Sequence, residues 1–473
     1  MSSFAILNTA RQGLNAAQAG LDVTGQNVAN LNTNGYTRQR VQQSSVAPLT
    51  EMGLARFAQP VRNGQGVSID GVARLGNLFL ESRVRQTASS EGYSVVRATA
   101  FTAVEDIHGE PSDTGLSATL QSFWSGWQDV ANSPGKEAQA RVVIERAVGI
   151  VDRLVAGRAE VAGQWQQSRA SASALVTEIN AMADKVAALN AQIRDSAGQG
   201  VSSNELVDHR NQVTASLAQL AGAQASTSPD GTVSVLLGGN LLVDGTTANP
   251  VKLVGSQSMD GTTGDPVRLE WAHRAGAQVA LEGGDLAGHL SALAPASSGG
   301  VYAQAAAGYD ALATKLATQV NALHTTGRTT TGATGGDFFV FDASKPPASG
   351  IKVAITDPAQ IAAGGGTNGA LDGSIADKIS RLGVAADGPD AAWSAHVAQI
   401  AVKASSATYD AKLATIASTA AFSDLLSNSA VSLDEETVNL VQYQHAYQGA
   451  ARVLTAVDEM LDQLINRTGR VGL

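Results

Sequence analysis

The side chains able to do acid–base or ligand chemistry are few and poorly grouped. Asp434, Glu435 and Glu436 form a dense carboxylate cluster. Such acids could act as general acid and base. Lying just after Ser432 at a helix start, they more simply complement the positive end of the helix dipole. The seven histidines stand at 108, 209, 273, 289, 324, 396 and 445, without ligand spacing. His445 lies on a helix but off its apolar seam, which suits a flank contact better than a metal ligand. Trp124 and Trp127 are three apart, so on one helix they share a buried face rather than a sugar-stacking platform. Gly64 and Gly66 begin a GxG whose third glycine is misplaced for a dinucleotide fingerprint. Gly364-Gly365-Gly366 reads as a flexible loop rather than an anion nest. There is no phosphate loop, nucleophile elbow, HExxH or EF-hand pattern. These residues specify no catalysis, no cofactor and no metal, so an enzyme is not expected.

Composition points the same way. The 473 residues carry a net charge of −10, which argues against nucleic acid as a main partner. The excess is uneven: residues 1–100 hold nine Arg, no Lys and five acids. Arg without Lys suits planar contacts to carboxylates and amides at packed interfaces, though a solvated basic face has the same composition. With 44% apolar but only 4% aromatic residues, the chain suits slim helices packed through small side chains, or simply reflects a GC-rich genome. The absence of cysteine rules out disulfides and thiolate zinc sites. No apolar run approaches membrane-spanning length and no cleavable leader is evident, so membrane insertion is not expected and any export must proceed without cleavage.

The elements that would position a binding surface lie at the two ends. Leu7, Leu14, Leu21 and Val28 recur every seven residues, with Ala10, Ala17, Thr24 and Leu31 three residues later. Asn27, Asn30, Asn32 and Asn34-Gly35 end that helix. The polar segment from Tyr36 follows, and Tyr36, Arg38 and Arg40 contact either a partner subunit or their own loop. At the other end Leu433, Leu440, Tyr447, Leu454 and Leu461 keep the same period, joined by Tyr443, Ala450, Val457 and Leu464. Two such seams predict long helices that pair with each other or with further copies. Between them, residues 115–222 read as helical with a break at Asn132-Ser133-Pro134-Gly135. The segment 224–284 carries strand and turn signals, and helix returns from Leu286 to His324. The pattern divides the chain into an N-terminal heptad helix (1–35), a helical body with short strands (36–223) and an inserted β domain (224–284). Return helices with Gly/Thr-rich loops (285–430) and a C-terminal heptad helix (431–473) complete it. The expected fold class is mainly α with a small β insert, the terminal helices pairing as a coiled coil beside a helical-bundle body.

The terminal residues resemble the flagellar rod, hook and hook-associated family. Leu14-Asn15-Ala16-Ala17-Gln18-Ala19-Gly20-Leu21 looks like that family's first helix. Asn27-Val28-Ala29-Asn30, then Thr33-Asn34-Gly35-Tyr36-Thr37-Arg38-Gln39, is similar to the signature after it. Ser432-Leu433-Asp434-Glu435-Glu436, Tyr443-Gln444 and Asp458-Glu459-Met460-Leu461 match its closing helix. In the middle, Asn204-Glu205-Leu206-Val207-Asp208 with Arg210, and Gly336-Asp337-Phe338-Phe339, resemble landmarks of the hook-associated branch. One departure stands out. Only about ten residues separate Phe341 from the strand at Ile351, so the extra outer domain of longer members is missing.

The resemblance implies a secreted structural protein of the flagellum that forms the zone between hook and filament. It implies partners: copies of itself, hook protein, the adjacent junction and filament proteins, and an export chaperone on the C-terminal helix. The implied assembly interface is Leu7, Leu14, Leu21, Val28, Leu31, Leu433, Leu440, Tyr443, Tyr447, Leu454, Val457, Leu461 and Leu464. The implied motif loop is Asn27, Asn30, Gly35, Tyr36, Thr37 and Arg38. Two other readings stay open: another rod or hook subunit, or an extracellular adhesin or enzyme using the β insert.

Overall fold

The structure, a computed structural model, describes residues 3–46, 66–199, 201–366 and 371–463. Gly64 and Leu464, named above, lie outside the described residues.

Helix α1 (Ser3–Ala29) leads into an antiparallel ribbon of β1 (Gln39–Ser45) and β2 (Val67–Arg74), Gln39 lying opposite Arg74. Helix α2 (Leu78–His108) starts on Asn77, whose side chain accepts the N–H groups of Phe79 and Leu80. It stops at Gly109, which takes a left-handed φ of 57° and returns its N–H to the Glu105 carbonyl. Helix α3 (Leu116–Asn132) ends at the expected Ser133-Pro134-Gly135 break. Proline cannot extend the hydrogen-bond ladder there.

Helix α4 (Glu137–Gly198) is the spine. Its 62 residues span about 93 Å at 1.5 Å each. Val143, Ala147, Ile150, Leu154, Val161 and Trp165 are buried at steps of three, four or seven, one continuous apolar stripe. Helix α5 (Asn204–Ala221) folds back beside it.

Strands β3 (Gln224–Thr227), β4 (Val233–Leu237), β5 (Asn240–Asp244) and β6 (Thr247–Ala248) form an antiparallel sheet in that order. Strands β7 (Val251–Val254) and β8 (Arg268–Trp271) pair separately. The segment 224–284 thus has its strands, but their inner residues Val235, Leu237, Leu242 and Leu269 join the helical core instead of enclosing one of their own. Two asparagines of α4 explain the seating. Asn190 donates to the Val233 carbonyl at 2.8 Å and accepts the Val233 N–H at 3.0 Å. Asn180 does the same for Val251, at 2.8 and 2.9 Å. Each side-chain amide stands in for a neighbouring strand.

The return read as one run from Leu286 to His324 is two helices, α6 (Asp285–Leu293) and α7 (Val301–His324). Pro295 interrupts them, and Gly300 crosses so close that a Cβ would stand 1.7 Å from the Ala294 carbonyl oxygen. Strand β9 (Phe339–Phe341), helix α8 (Pro347–Gly350), strand β10 (Ile351–Val353) and helix α9 (Ser374–Ser380) close that end of the body. Gly364 belongs to a short bridge with Arg328, so this loop is tied down.

Helix α10 (Pro389–Ser429) runs antiparallel along α2, with Asp424 against Arg83 and His396 against His108. Ala404, Ala407, Ala411 and Ala421 are buried, and such small residues let the two axes approach closely. Helix α11 (Leu433–Asp462) then lies against α1. Trp124 and Trp127 share a buried face as expected, Trp127 packing on Phe123, His324 and Phe338.

Candidate assembly site

The terminal helices pair antiparallel. Gly13 meets Ala450, Gly20 meets Tyr443 and Asn27 meets Glu436, one contact every seven residues on each helix. The inward row of α1 is small: Ala10, Ala17, Gly20 and Thr24 are buried. Leu7, Leu14 and Leu21 are only half-buried, while Val28 and Leu31 are exposed. On α11, Val457 is buried and Tyr443, Leu454 and Leu461 are half-buried. Leu433, Leu440 and Tyr447 are exposed at 50%, 39% and 37%. The pair is therefore rotated: small residues of α1 take the contact against Tyr443, Ala450 and Val457 of α11, and the leucine-rich rows lie at its flank or outside.

Gly20 fixes the spacing. On an open helix, Gly→Ala gains about 1 kcal/mol. Here the added Cβ would stand 2.4 Å from Tyr443 ring carbons near the base of that side chain. Gly20→Ala is therefore expected to destabilise the pair by roughly 1–3 kcal/mol, with Tyr443→Ala added in the same chain relieving the clash. Thermal unfolding followed by far-UV circular dichroism measures both; a more stable Gly20→Ala would show that the ring swings aside freely.

Where α1 ends, a polar knot ties the pair to the body. The Asn27 amide donates to the Gln39 carbonyl at 2.9 Å and to Glu436 at 3.2 Å, while its oxygen accepts the Gln39 N–H at 3.0 Å and the Tyr36 hydroxyl at 2.9 Å. All four polar capacities of this buried amide are used. Arg38 reaches Glu436 at 2.7 Å and also pairs with Glu435. Its backbone N–H donates to the Ser429 carbonyl at 3.0 Å, across the α10–α11 corner. The Thr37 N–H donates to Asp208 at 2.9 Å. Asp208 also pairs with Arg74, which reaches Glu81 at 2.7 Å, and Asn211 holds the second Glu81 oxygen at 3.0 Å. Gln26 and Gln39 both donate to Glu205, at 2.9 and 3.1 Å.

Burial, then the Glu205, Asp208 and Glu436 carboxylates, push the Tyr36 phenol up to about 12. It stays a neutral donor to Asn27 throughout the physiological range. Tyr36 and Arg38 thus make polar contacts inside their own chain, while Arg40 is exposed. Gly35, at φ 77°, turns the chain under Gln212, whose amide reaches the Asn34 carbonyl. Asn30 bonds back to the Gln26 carbonyl at 3.0 Å. Glu436 corrects the helix-start reading: it is 1% exposed and serves the knot rather than the dipole alone. Ser432 sits at the cap position, but its side chain makes no capping bond. The sequence reading missed Arg74 and Glu81 as knot residues. Their charge was visible, but their pairing depends on β2 and α2 meeting α5. His445 is exposed. Among the described residues, no group of three or more His, Asp or Glu could hold a metal ion.

Residues 101–339 match the family described as flagellar hook-associated protein FlgK, helical domain. The chain belongs to that family. Its ends match two further descriptions shared with axial proteins: flagella basal body rod protein over 7–37, and flagellar basal body rod FlgEFG protein, C-terminal, over 423–467. Flagellar hook-associated protein 1 of Bacillus subtilis is 29% identical, with 99% of each chain covered. The Salmonella typhimurium protein of that name is also 29% identical, over 53% of this chain and 44% of its own length. A solved structure of the flagellar hook junction protein FlgK from Burkholderia pseudomallei superposes with a TM-score of 0.62 at 17% identity. It covers 72% of this chain and 99% of the solved one, a likeness of fold.

Proposed function

We propose that this chain is a structural subunit of the bacterial flagellum that joins hook to filament by self-assembly. The observation that carries the reading is the α1–α11 pair. Its contact row on α1 is filled by small residues, and Leu433, Leu440 and Tyr447 are left outward on α11, beside the exposed Val438, Val441, Val453 and Met460. Apolar rows exposed at heptad spacing mark an interface awaiting a neighbour. The family match supports hook and filament components as partners, and the body match over 101–339 favours the junction over a rod or hook role.

In this reading the terminal pair forms the inner wall, the helical body lies outside it, and the 224–284 strands face outward. Copies pack by covering each other's Leu433–Leu440–Tyr447 row, with Leu7, Leu14 and Leu21 at its flank. In the free chain the pair frays at its far ends and orders when a neighbour covers that row. Before export a chaperone covers the same row, because an open apolar helix in the cytosol invites premature association. The role requires no catalysis.

Deletion of the gene, with electron microscopy and an assay of flagellin in the medium, tests the role. Intact hooks, absent filaments and lost flagellin are expected. Loss of the hooks would move the chain to the rod or hook, and normal flagella would end the assignment. For the interface, Leu440→Glu is expected to leave a folded, exported monomer while abolishing filaments. Filaments at wild-type number in that variant would exclude the row.

A further inference from the structure

A second feature, outside the terminal pair, lies between α2 and the edge strand β3. Here Arg85 lines a cleft of roughly 420 Å³ together with Ser82, Gln86, Ser89, Gln224 and Glu282. Strand β3 is an edge strand, bonded only to β4 within its sheet. The floor is a backbone crossing fixed by glycines. A Cβ on Gly222, which has φ +70°, would stand 2.7 Å from the Gly283 carbonyl oxygen. Gly284 donates its N–H to the Ser89 carbonyl at 2.8 Å. The cleft is therefore preformed.

Arg85 is half-buried, and among the described residues nothing accepts a hydrogen bond from its guanidinium or pairs with it. Its nearest acid, Glu81, has one oxygen on Arg74 and the other on Asn211. A partly desolvated cation without a hydrogen-bonded counter-charge is costly, and the cost is recovered when an anion arrives already shielded from water. The lining selects the anion. Hydroxyls and side-chain amides suit a single carboxylate, whereas Glu282 at the same cleft repels a free dianion. The source follows from charge. Each copy carries 42 acidic against 32 basic residues, so copies packed side by side repel unless their acids meet cations.

We infer that the Arg85 cleft receives an Asp or Glu side chain from a second copy of this chain, a contact separate from the α1–α11 row. The inference rests on the self-assembly reading above. The test uses the full chain in its own cells, with a photoreactive benzoylphenylalanine in place of Gln86 on the cleft wall. Illumination of assembled flagella is expected to yield a species of two copies, falling about tenfold when Arg85→Gln is added. The purified Arg85→Gln chain is expected to melt within a degree or so of wild type or above it, because the folded monomer gives this cation no hydrogen-bonded partner and Glu81, its Coulombic neighbour, is already held by Arg74 and Asn211. A lowered melting temperature would make Arg85 a structural residue and overturn the inference. So would cross-linking to a different protein, or cross-linking indifferent to Arg85→Gln. So would inorganic phosphate that raises the melting temperature of wild type but not of Arg85→Gln, since that marks a free-anion site. Leu440→Glu separates the two claims. If it abolishes filaments while Arg85→Gln leaves the cross-link intact, only the cleft falls; if Leu440→Glu assembles normally, the self-assembly row falls instead.

Discussion

Arg74→Met is expected to cost about 3 kcal/mol of folding stability, measured as a lowered denaturation midpoint with unchanged slope. Arg74 is the single cation shared by Asp208 and Glu81, and both carboxylates are 7% exposed. Removing one member of a buried pair leaves an uncompensated charge and typically costs about 3–5 kcal/mol. Two features hold the figure to the lower end. Arg85 and Arg210 lie near enough to Glu81 to stabilise its charge, and the loss of Arg74 relieves a repulsion on Arg210. Burial, and then Arg74, hold Arg210 down at about 10. Adding Glu81→Gln and Asp208→Asn to Arg74→Met removes the stranded charges while keeping acceptors for Asn211 and the Thr37 N–H. That triple variant is expected to recover most of the loss. If Arg74→Met alone is neutral, the knot holds the body to the terminal pair by shape and not by charge.

Acid is expected to destabilise the body through its histidines. Burial, then the neighbouring His396, hold His108 down at about 4, with Glu110 opposing. Burial also lowers His289, His324 and His396. A folded-state pKa below the unfolded value means that the unfolded chain binds the extra proton. The contribution is therefore fully present above about pH 6.5 and lost as pH falls toward 4. For His108 alone the loss is about 3 kcal/mol, at roughly 1.4 kcal/mol per pH unit. Asp390 acts in the opposite sense. Burial raises it to about 6, against the Trp124 indole N–H that donates to it at 2.6 Å. Its contribution is present below about pH 3.8 and lost as pH rises to 6. His108 and Asp390 oppose each other in wild type, leaving His289, His324 and His396 to carry the net loss, so single variants expose each of the two. His108→Phe, which keeps a ring among Tyr309, Trp393 and His396, should flatten the loss between pH 6.5 and 4. Asp390→Asn should steepen it. Denaturation midpoints across that range decide the matter, and an unaltered slope in His108→Phe would place its proton uptake outside the fold.

Much of the architecture is legible in the chain because it rests on local rules. A seven-residue period demands a helix with one distinctive face, so α1 and α11 could be read directly. Pro134-Gly135 forces a break, and Asp230-Gly231 and Asp244-Gly245 mark turns, whatever surrounds them. The absence of catalytic spacing also needs no structure. Pro295, by contrast, lies inside the stretch that the sequence presents as one helix, although the same rule that ended α3 applies to it.

What only the tertiary structure decided is which face of each periodic helix meets which partner, and which distant charges meet. A heptad repeat is satisfied by leucines facing inward or by glycines and alanines facing inward; the period is the same. The choice turns on how closely two backbones can approach, and that depends on Tyr443 fitting over Gly20, residues 423 positions apart. The knot is likewise invisible locally, since Asn27, Arg38 and Glu436 acquire partners only when both ends of the chain reach the same corner. Charge and amide groups act over a few ångströms in space and carry no record in sequence spacing. The chain by itself therefore determined most of the helices and the family; the packing of its two ends determined which apolar row is left exposed.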